Sequence, residues 1–166
     1  MGVIEELVEK IHQIKELPPQ EFHGHTSDVL DLAWSKSNCL LSSSKDKTVR
    51  LWQVGCNECI SVFQHIDYVT CIQFNPVNEN YFMSDSIHGK ARIWGVTERQ
   101  VIDWADVRDV ATAICYHPDC KGFIVGSVIG TCRFYGASDR NLQLTTVINF
   151  QGRNKSSSNK STYMYN

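Results

Sequence analysis

Through most of the chain, apolar and polar residues alternate with a period of two, in short runs parted by Ser, Lys, Asn, Asp and Gly. That pattern predicts β-strands with one buried face. Val29, Leu30, Leu32 and Trp34 mark a first strand, Cys39 to Ser43 a second, Thr48 to Val54 a third and Glu58 to Phe63 a fourth. Between them, Ser35-Lys36-Ser37-Asn38 and Ser44-Lys45-Asp46-Lys47 are turn chemistry. The same order returns over Val69 to Phe74, Tyr81 to Ser84, Lys90 to Val96 and Gln100 to Trp104. It returns again over Ala111 to Tyr116, Gly122 to Gly126, Thr131 to Tyr135 and Leu142 to Phe150. Two segments break the alternation. Near the start, Ile4, Leu7, Val8, Ile11, Ile14 and Leu17 stand at helical spacing before Pro18-Pro19, which predicts a short amphipathic helix. It would pack on a neighbouring surface, with a partner-binding helix as the alternative. After Phe150 the chain turns polar, basic and Ser-rich, which predicts a disordered tail.

The strand groups recur at a step of about 40 residues. Val69 to Pro76 aligns on Ala111 to Pro118 at an offset of 42, and Gly89 to Trp94 aligns on Gly130 to Tyr135 at an offset of 41. A repeat of this length made of short strands is the signature of a β-propeller blade. The expected fold class is all-β: a partial propeller of about three four-stranded blades, with a short N-terminal helix and a disordered C-terminal tail. The expected units are 1–20 (helix and linker), blades at about 22–63, 64–104 and 105–150, and a tail at 151–166.

Composition narrows the function classes. A formal net charge of -2 gives no global attraction to nucleic acid or to anionic membrane. A few cations in the tail make only a weak patch. No apolar run reaches transmembrane length, and Met1 to Glu6 has neither the basic flank nor the apolar core of a signal peptide. Gly2 lacks the rest of a myristoylation signal. A cytoplasmic setting is expected, with a nuclear one as the alternative, so the acceptor patterns at Asn154 and Asn159 would stay unused. Seven cysteines then read as reduced thiols, and Cys39, Cys71, Cys115 and Cys132 as small buried hydrophobes within strands. Cys56-Asn57-Glu58-Cys59 lacks both the second pair a zinc site wants and the βαβ context of a redox motif. No Gly-rich phosphate loop or paired catalytic carboxylates are present, so no cofactor, metal or catalytic residue is expected.

In the first copy His25 precedes the first strand, Ser42 lies in the second, Asp46 occupies the next turn and Trp52 closes the third strand. With these four residues the chain resembles the WD-repeat (WD40) family, whose blades carry a His–Ser/Thr–Asp–Trp network. The resemblance implies that Asp46 accepts a hydrogen bond from the His25 ring, that His25 engages Ser42, and that the Trp52 indole donates to Ser42. Asp, His and Ser together also invite a hydrolytic reading, but a serine held by tryptophan within a sheet is not on an exposed nucleophile elbow. Copy two keeps His65, Ser84 and Trp94 and puts His88 where copy one has Asp46. The anionic acceptor is therefore missing unless Asp85 or Asp67 substitutes. His88 itself is read as a turn residue. Copy three has neither the His nor the Asp, and Tyr135 replaces Trp, so it should hold together by apolar packing.

His25 to Lys36, Leu40 to Trp52, Phe63 to Pro76 and Gly152 to Lys155 narrow the likeness. They resemble the subfamily of Rab-GTPase-binding endosomal WD-repeat proteins and their plant relatives, with Asp103-Trp104 leaning to the plant branch. The resemblance implies a non-enzymatic protein–protein interaction scaffold, in a vesicle-trafficking setting. It assigns no Rab-binding residue here, because in the animal proteins that region precedes the repeats. Family members usually close seven blades, which needs about 280 residues at about 40 each. The expectation is a truncated propeller, completed by self-association or by a protein partner across exposed blade edges. The alternative is a regulatory fragment that docks on other propeller blades through those edges.

Overall fold

The computed structural model describes residues 20–138 and 141–150. The expected helix over 3–17 and the expected tail over 151–166 lie outside the described residues. Every alternating run forms a strand. β1 (Val29–Trp34), β2 (Cys39–Ser44), β3 (Thr48–Gln53) and β4 (Cys59–Gln64) make one sheet. β5 (Val69–Phe74), β6 (Tyr81–Ser86), β7 (Lys90–Gly95) and β8 (Gln100–Asp106) make the second. β9 (Ala111–Tyr116), β10 (Gly122–Ser127), β11 (Thr131–Ser138) and β12 (Asn141–Asn149) make the third. Each sheet is an antiparallel meander with its strands in chain order, the form of a propeller blade.

The three blades repeat in their irregularities as well as in their strands. In each, the register slips near the start of the inner strand, at Val29/Asp31, Val69/Cys71 and opposite Gly126/Ser127. It slips again just before the last aromatic of the third strand, at Leu51/Trp52, Ile93/Trp94 and Phe134/Tyr135. Such bulges add twist, which a blade needs to sit against its neighbour. The turn into each third strand takes a left-handed residue at Lys47 (φ 69°), Gly89 (φ 72°) and Gly130 (φ 77°). Glycine adopts this conformation freely and lysine does so at a cost.

Two apolar layers lie between the blades. Leu41, Val49, Leu51 and Phe63 of the first blade meet Ile72, Phe74, Phe82 and Trp94 of the second. Met83, Ala91, Ala105 and Val107 meet Ala111, Tyr116, Phe123, Val125 and Tyr135 of the third. The inner strands are also tied directly. The Asp31 carboxylate accepts the Ile72 backbone N–H at 2.9 Å, and the Gln73 side-chain oxygen accepts the Tyr116 N–H at 2.7 Å. Near one end of β1 and β5, the Glu79 carboxylate receives the Lys36 and Ser37 amides and the Ser37 hydroxyl.

The face of blade 1 turned away from blade 2 is only partly covered among the described residues. Phe22 lies over Trp52 with ring centroids 5.3 Å apart, in the role that Phe63 plays for Trp94 at 5.6 Å. Gln20 holds this strap by bonding the Gly55 amide and the Cys56 carbonyl. Gly24 suits the place where the strap crosses: its φ of 157° is rarely adopted by other residues, and a Cβ there would crowd the Trp52 ring at 3.2 Å and push the flexible Arg50 end aside. Further in, Trp34 is 61% exposed, whereas its counterparts Phe74 and Tyr116 are each 7% exposed. Of the cysteines expected to be buried, Cys71 is and Cys39 and Cys132 are half-buried, but Cys115 is exposed. Its side of β9 lies away from the layer that Tyr116 enters, so alternation alone misplaced it.

Candidate functional site

The richest polar cluster sits in blade 1, where β2 supplies Ser42, the β2–β3 turn Asp46, β3 Trp52, and the strap His25. The His25 ring donates from Nδ1 to Asp46 Oδ2 at 2.8 Å, and its Nε2 meets the Ser42 hydroxyl at 2.7 Å. Ser42 Oγ accepts the Trp52 indole N–H at 2.8 Å. With Nδ1 protonated toward the carboxylate, Nε2 accepts from Ser42, and every polar atom in the chain of bonds has a partner. Asp46 also receives the Thr26 amide at 3.1 Å, the Thr48 amide at 3.0 Å and the Thr48 hydroxyl at 2.6 Å. Burial pushes the Asp46 carboxyl up, yet the bonds from Thr48, His25 and Thr26 outweigh it and hold its pKa at about 2. The His25 and Asp46 side chains are 8% and 5% exposed, shielded from solvent by the strap and the sheet.

Blade 2 brings His65, Ser84 and Trp94 together without the carboxylate. Trp94 Nε1 donates to Ser84 Oγ at 2.9 Å, and Ser84 meets His65 Nε2 at 2.8 Å. His65 Nδ1 donates to the Phe63 carbonyl at 3.1 Å. Neither carboxylate considered as a stand-in for Asp46 takes the role. Asp67 bonds the Tyr68 amide, and Asp85 has both oxygens buried without a hydrogen-bond partner. The reason is the period of two: Ser84 and Asp85 are adjacent in β6 and point to opposite faces of the sheet. His88 is an exposed turn residue and bonds none of these groups. Burial is the main cause that lowers His65 to a pKa of about 4; the Phe63 carbonyl opposes this and the Arg92 charge adds to it. Burial raises Asp85 to about 7, against the Ser86 amide and the Arg92 charge, neither of which reaches hydrogen-bonding geometry.

Blade 3 replaces the whole set at once. The positions of His65, Ser84 and Trp94 fall to Val107, Val125 and Tyr135, all buried in the layer against blade 2. Tyr135 stacks on Phe123 at 4.9 Å and directs its hydroxyl to the Asp106 carbonyl at 3.2 Å. A polar group persists beside this packing. Arg133 bonds Asp109 at 3.1 Å and Thr131 at 3.0 Å, and Thr131 meets Ser127 at 2.6 Å. The signal for it was the arginine repeated at one place in the third strand of every copy, Arg50, Arg92 and Arg133.

Chemistry of other kinds finds little here. Among the described residues no cluster of three or more His, Cys, Asp or Glu could hold a metal ion. Cys56 is exposed in a turn and Cys59 bonds backbone carbonyls of Leu51 and Ser61. No described helix is long and apolar enough to cross a membrane.

Comparison with known proteins agrees with the geometry. Residues 17–53 match the family model "WD domain, G-beta repeat". The chain is 43% identical over 124 residues to WD repeat-containing protein 44 of Xenopus laevis, an alignment covering 73% of this chain and 14% of that protein. It is 37% identical over 126 residues to an uncharacterised WD repeat-containing protein of Schizosaccharomyces pombe, covering 76% of this chain and 21% of that one. The chain thus spans about a seventh and a fifth of the lengths of these relatives. A chain in a crystal structure of the mitotic checkpoint complex superposes with a TM-score of 0.71 over 78% of this chain and 42% of its own length. At 19% identity that likeness concerns the fold alone. With three meander blades, the His–Asp–Ser–Trp network and these likenesses together, the chain belongs with the WD40-repeat proteins.

Proposed function

We propose that the chain is a non-catalytic docking platform, whose blades hold loops, grooves and strand edges in fixed positions for protein partners. The observation that carries this reading is the closed state of the Asp46–His25–Ser42 group. Its hydrogen-bonding capacity is spent on Trp52, Thr26 and Thr48, and its side chains are shielded from solvent. A nucleophile needs an open approach and a free base, and Ser42 has neither. Membrane traffic is the setting we favour, supported by the resemblance of His25 to Lys36, Leu40 to Trp52 and Phe63 to Pro76 to endosomal WD-repeat proteins.

A second reading is favoured by the exposure of Leu32 and Trp34, whose counterparts Ile72, Phe74 and Tyr116 are buried and Ile114 half-buried. Here the chain associates with further blades, of its own kind or of another propeller, across that face. Light scattering against concentration, with Trp34→Ser as control, tests it: a constant monomer mass for both proteins removes self-association. For the main reading, the folded chain is treated with a fluorophosphonate and analysed by mass spectrometry. No adduct is expected at Ser42, and a stoichiometric one would sink the docking reading.

A further inference from the structure

Between blades 1 and 2 the outer half of the interface is filled by one ring. Phe63 meets Phe82 at 4.8 Å and Trp94 at 5.6 Å, edge to face in both contacts. The step that aligns Val69 on Ala111 puts Ala105 in the place of Phe63, and Tyr135 stands for Trp94. A methyl group where the first interface has a benzyl group fills less of the outer interface, and a groove of about 540 Å³ lies between β8 and the outer strands of blade 3. Buried Ala105 and Tyr135 line its depth, and exposed Leu144 and Val147 its flank.

Charge at the groove is uneven. Arg133 is held by Asp109 and Thr131 and has little to offer a ligand. Arg108 is different: its side chain is 82% exposed, with only a loose 3.9 Å approach to Asp106. Its backbone is fixed in a left-handed conformation, φ 62°, by bonds from its N–H to the Gly89 carbonyl and Asp106. Arg108 thus lines the groove with its guanidinium open to solvent, the Asp106 carboxylate being its one acidic partner among the described residues. Among the described residues β8 is the last strand of its sheet, and no described strand pairs with its outer backbone edge.

We propose that this groove receives one aromatic side chain from an extended segment of a partner protein, with a carboxylate next to that side chain taken by Arg108. The aromatic ring repeats what Phe63 does one interface earlier, the extended form suits the open edge of β8, and the acidic neighbour complements Arg108. The proposal rests on the docking-platform reading and names the kind of partner for it.

The probe is a capped peptide with Glu-Phe-Glu at its centre, titrated into the whole chain and followed by backbone amide shifts. Saturable binding is expected, with shifts at Ala105, Arg108 and Leu144. It should weaken at least tenfold when Ala replaces the peptide Phe or Lys replaces both Glu residues. Ala105→Phe fills the groove from within and should abolish binding without lowering the melting temperature. Arg108→Glu lies on the surface, leaves the fold intact, and should reverse the preference to the Lys peptide. Absent saturation, equal binding by Ala105→Phe, or an unchanged preference in Arg108→Glu each overturns the proposal. So does a dimer of the chain that Ala105→Phe dissolves, because the occupant is then a second copy. Cellular partners retained equally by wild type and Ala105→Phe would overturn the groove while leaving the docking platform standing.

Discussion

The ring of His65 turns its Nδ1–H to the backbone carbonyl of Phe63, 3.1 Å away, where the ring of His25 finds the carboxylate of Asp46. A carbonyl satisfies the donor but does not favour a charged ring as a carboxylate does. The ring is therefore neutral in the folded chain, and burial holds its pKa at about 4 against a usual 6.5. A histidine depressed in this way contributes stability that is present above pH 6.5 and lost as the pH falls toward 4. The full linkage is about 3 kcal/mol at most. A ring-proton NMR titration should place the midpoint near 4. Replacing His88 by Asp puts a carboxylate at the position Asp46 holds in blade 1. We expect the midpoint to rise by more than one unit and stability at pH 7 to increase by about 1 kcal/mol. An unmoved midpoint would show that the turn does not bring residue 88 to the ring.

Asp46 behaves in the opposite sense. Its folded pKa of about 2 lies below the usual 3.8, so it stabilises the chain above pH 4, and that contribution fades as the pH drops toward 2. Asp46→Ala leaves His25 and two backbone amides without their acceptor. The expected cost at pH 7 is about 2–4 kcal/mol by denaturant unfolding. Asp46→Asn, which keeps an oxygen but no charge, should fall between the two. A loss below about 0.5 kcal/mol for Asp46→Ala would mean the network is ornamental.

Trp34 and Phe74 hold equivalent places, and their exposures of 61% and 7% predict very different mutational costs. Phe74→Ala removes a ring from the layer between blades 1 and 2 and should cost about 3–5 kcal/mol. Trp34→Ser in the same chain should change stability by about 0.5 kcal/mol or less. Acrylamide quenching gives an independent reading, since Trp34 should be the most accessible tryptophan after blue-shifted Trp52 and Trp94 are set apart.

The alternation of residues and the recurring step made the strands legible, because both reflect local geometry: side chains in a strand alternate, and each blade is a local hairpin series. Strand ends moved by a residue or a few, as in β11, which runs on to Ser138. What sequence left open was set by facing. Asp85 sits one residue from Ser84 and was a candidate acceptor, yet that single step sends it to the other side of the sheet. The groove at Ala105 was likewise invisible in one copy. It shows only when Ala105 is laid on Phe63 and the neighbouring blade is in place.

Asp85 supplies the sharpest test of that facing argument. In the corresponding position the first blade has Ser43 and the third Gly126, both small. The Asp85 side chain is 0% exposed, and its carboxyl is raised to about 7 mainly by burial, with Cys71, Arg92 and Tyr135 the other titratable groups near it. For an acid whose folded pKa lies above 3.8, stability is fully present below pH 4 and is lost as the pH rises through 7. At pH 8 the buried anion should cost the chain about 2–4 kcal/mol relative to pH 4. His65 works against this between pH 4 and 6.5, so the wild-type profile should be shallow there. Asp85→Ser takes away one slope and leaves the other. We expect the variant to be more stable than wild type by about 2–4 kcal/mol at pH 8, and close to it at pH 4. Its own stability should now fall steadily from pH 6.5 to 4, following His65, before the Asp46 contribution begins to fade. Equal stability at pH 8 would mean that Asp85 has found a partner, and that blades 2 and 3 do not close over it.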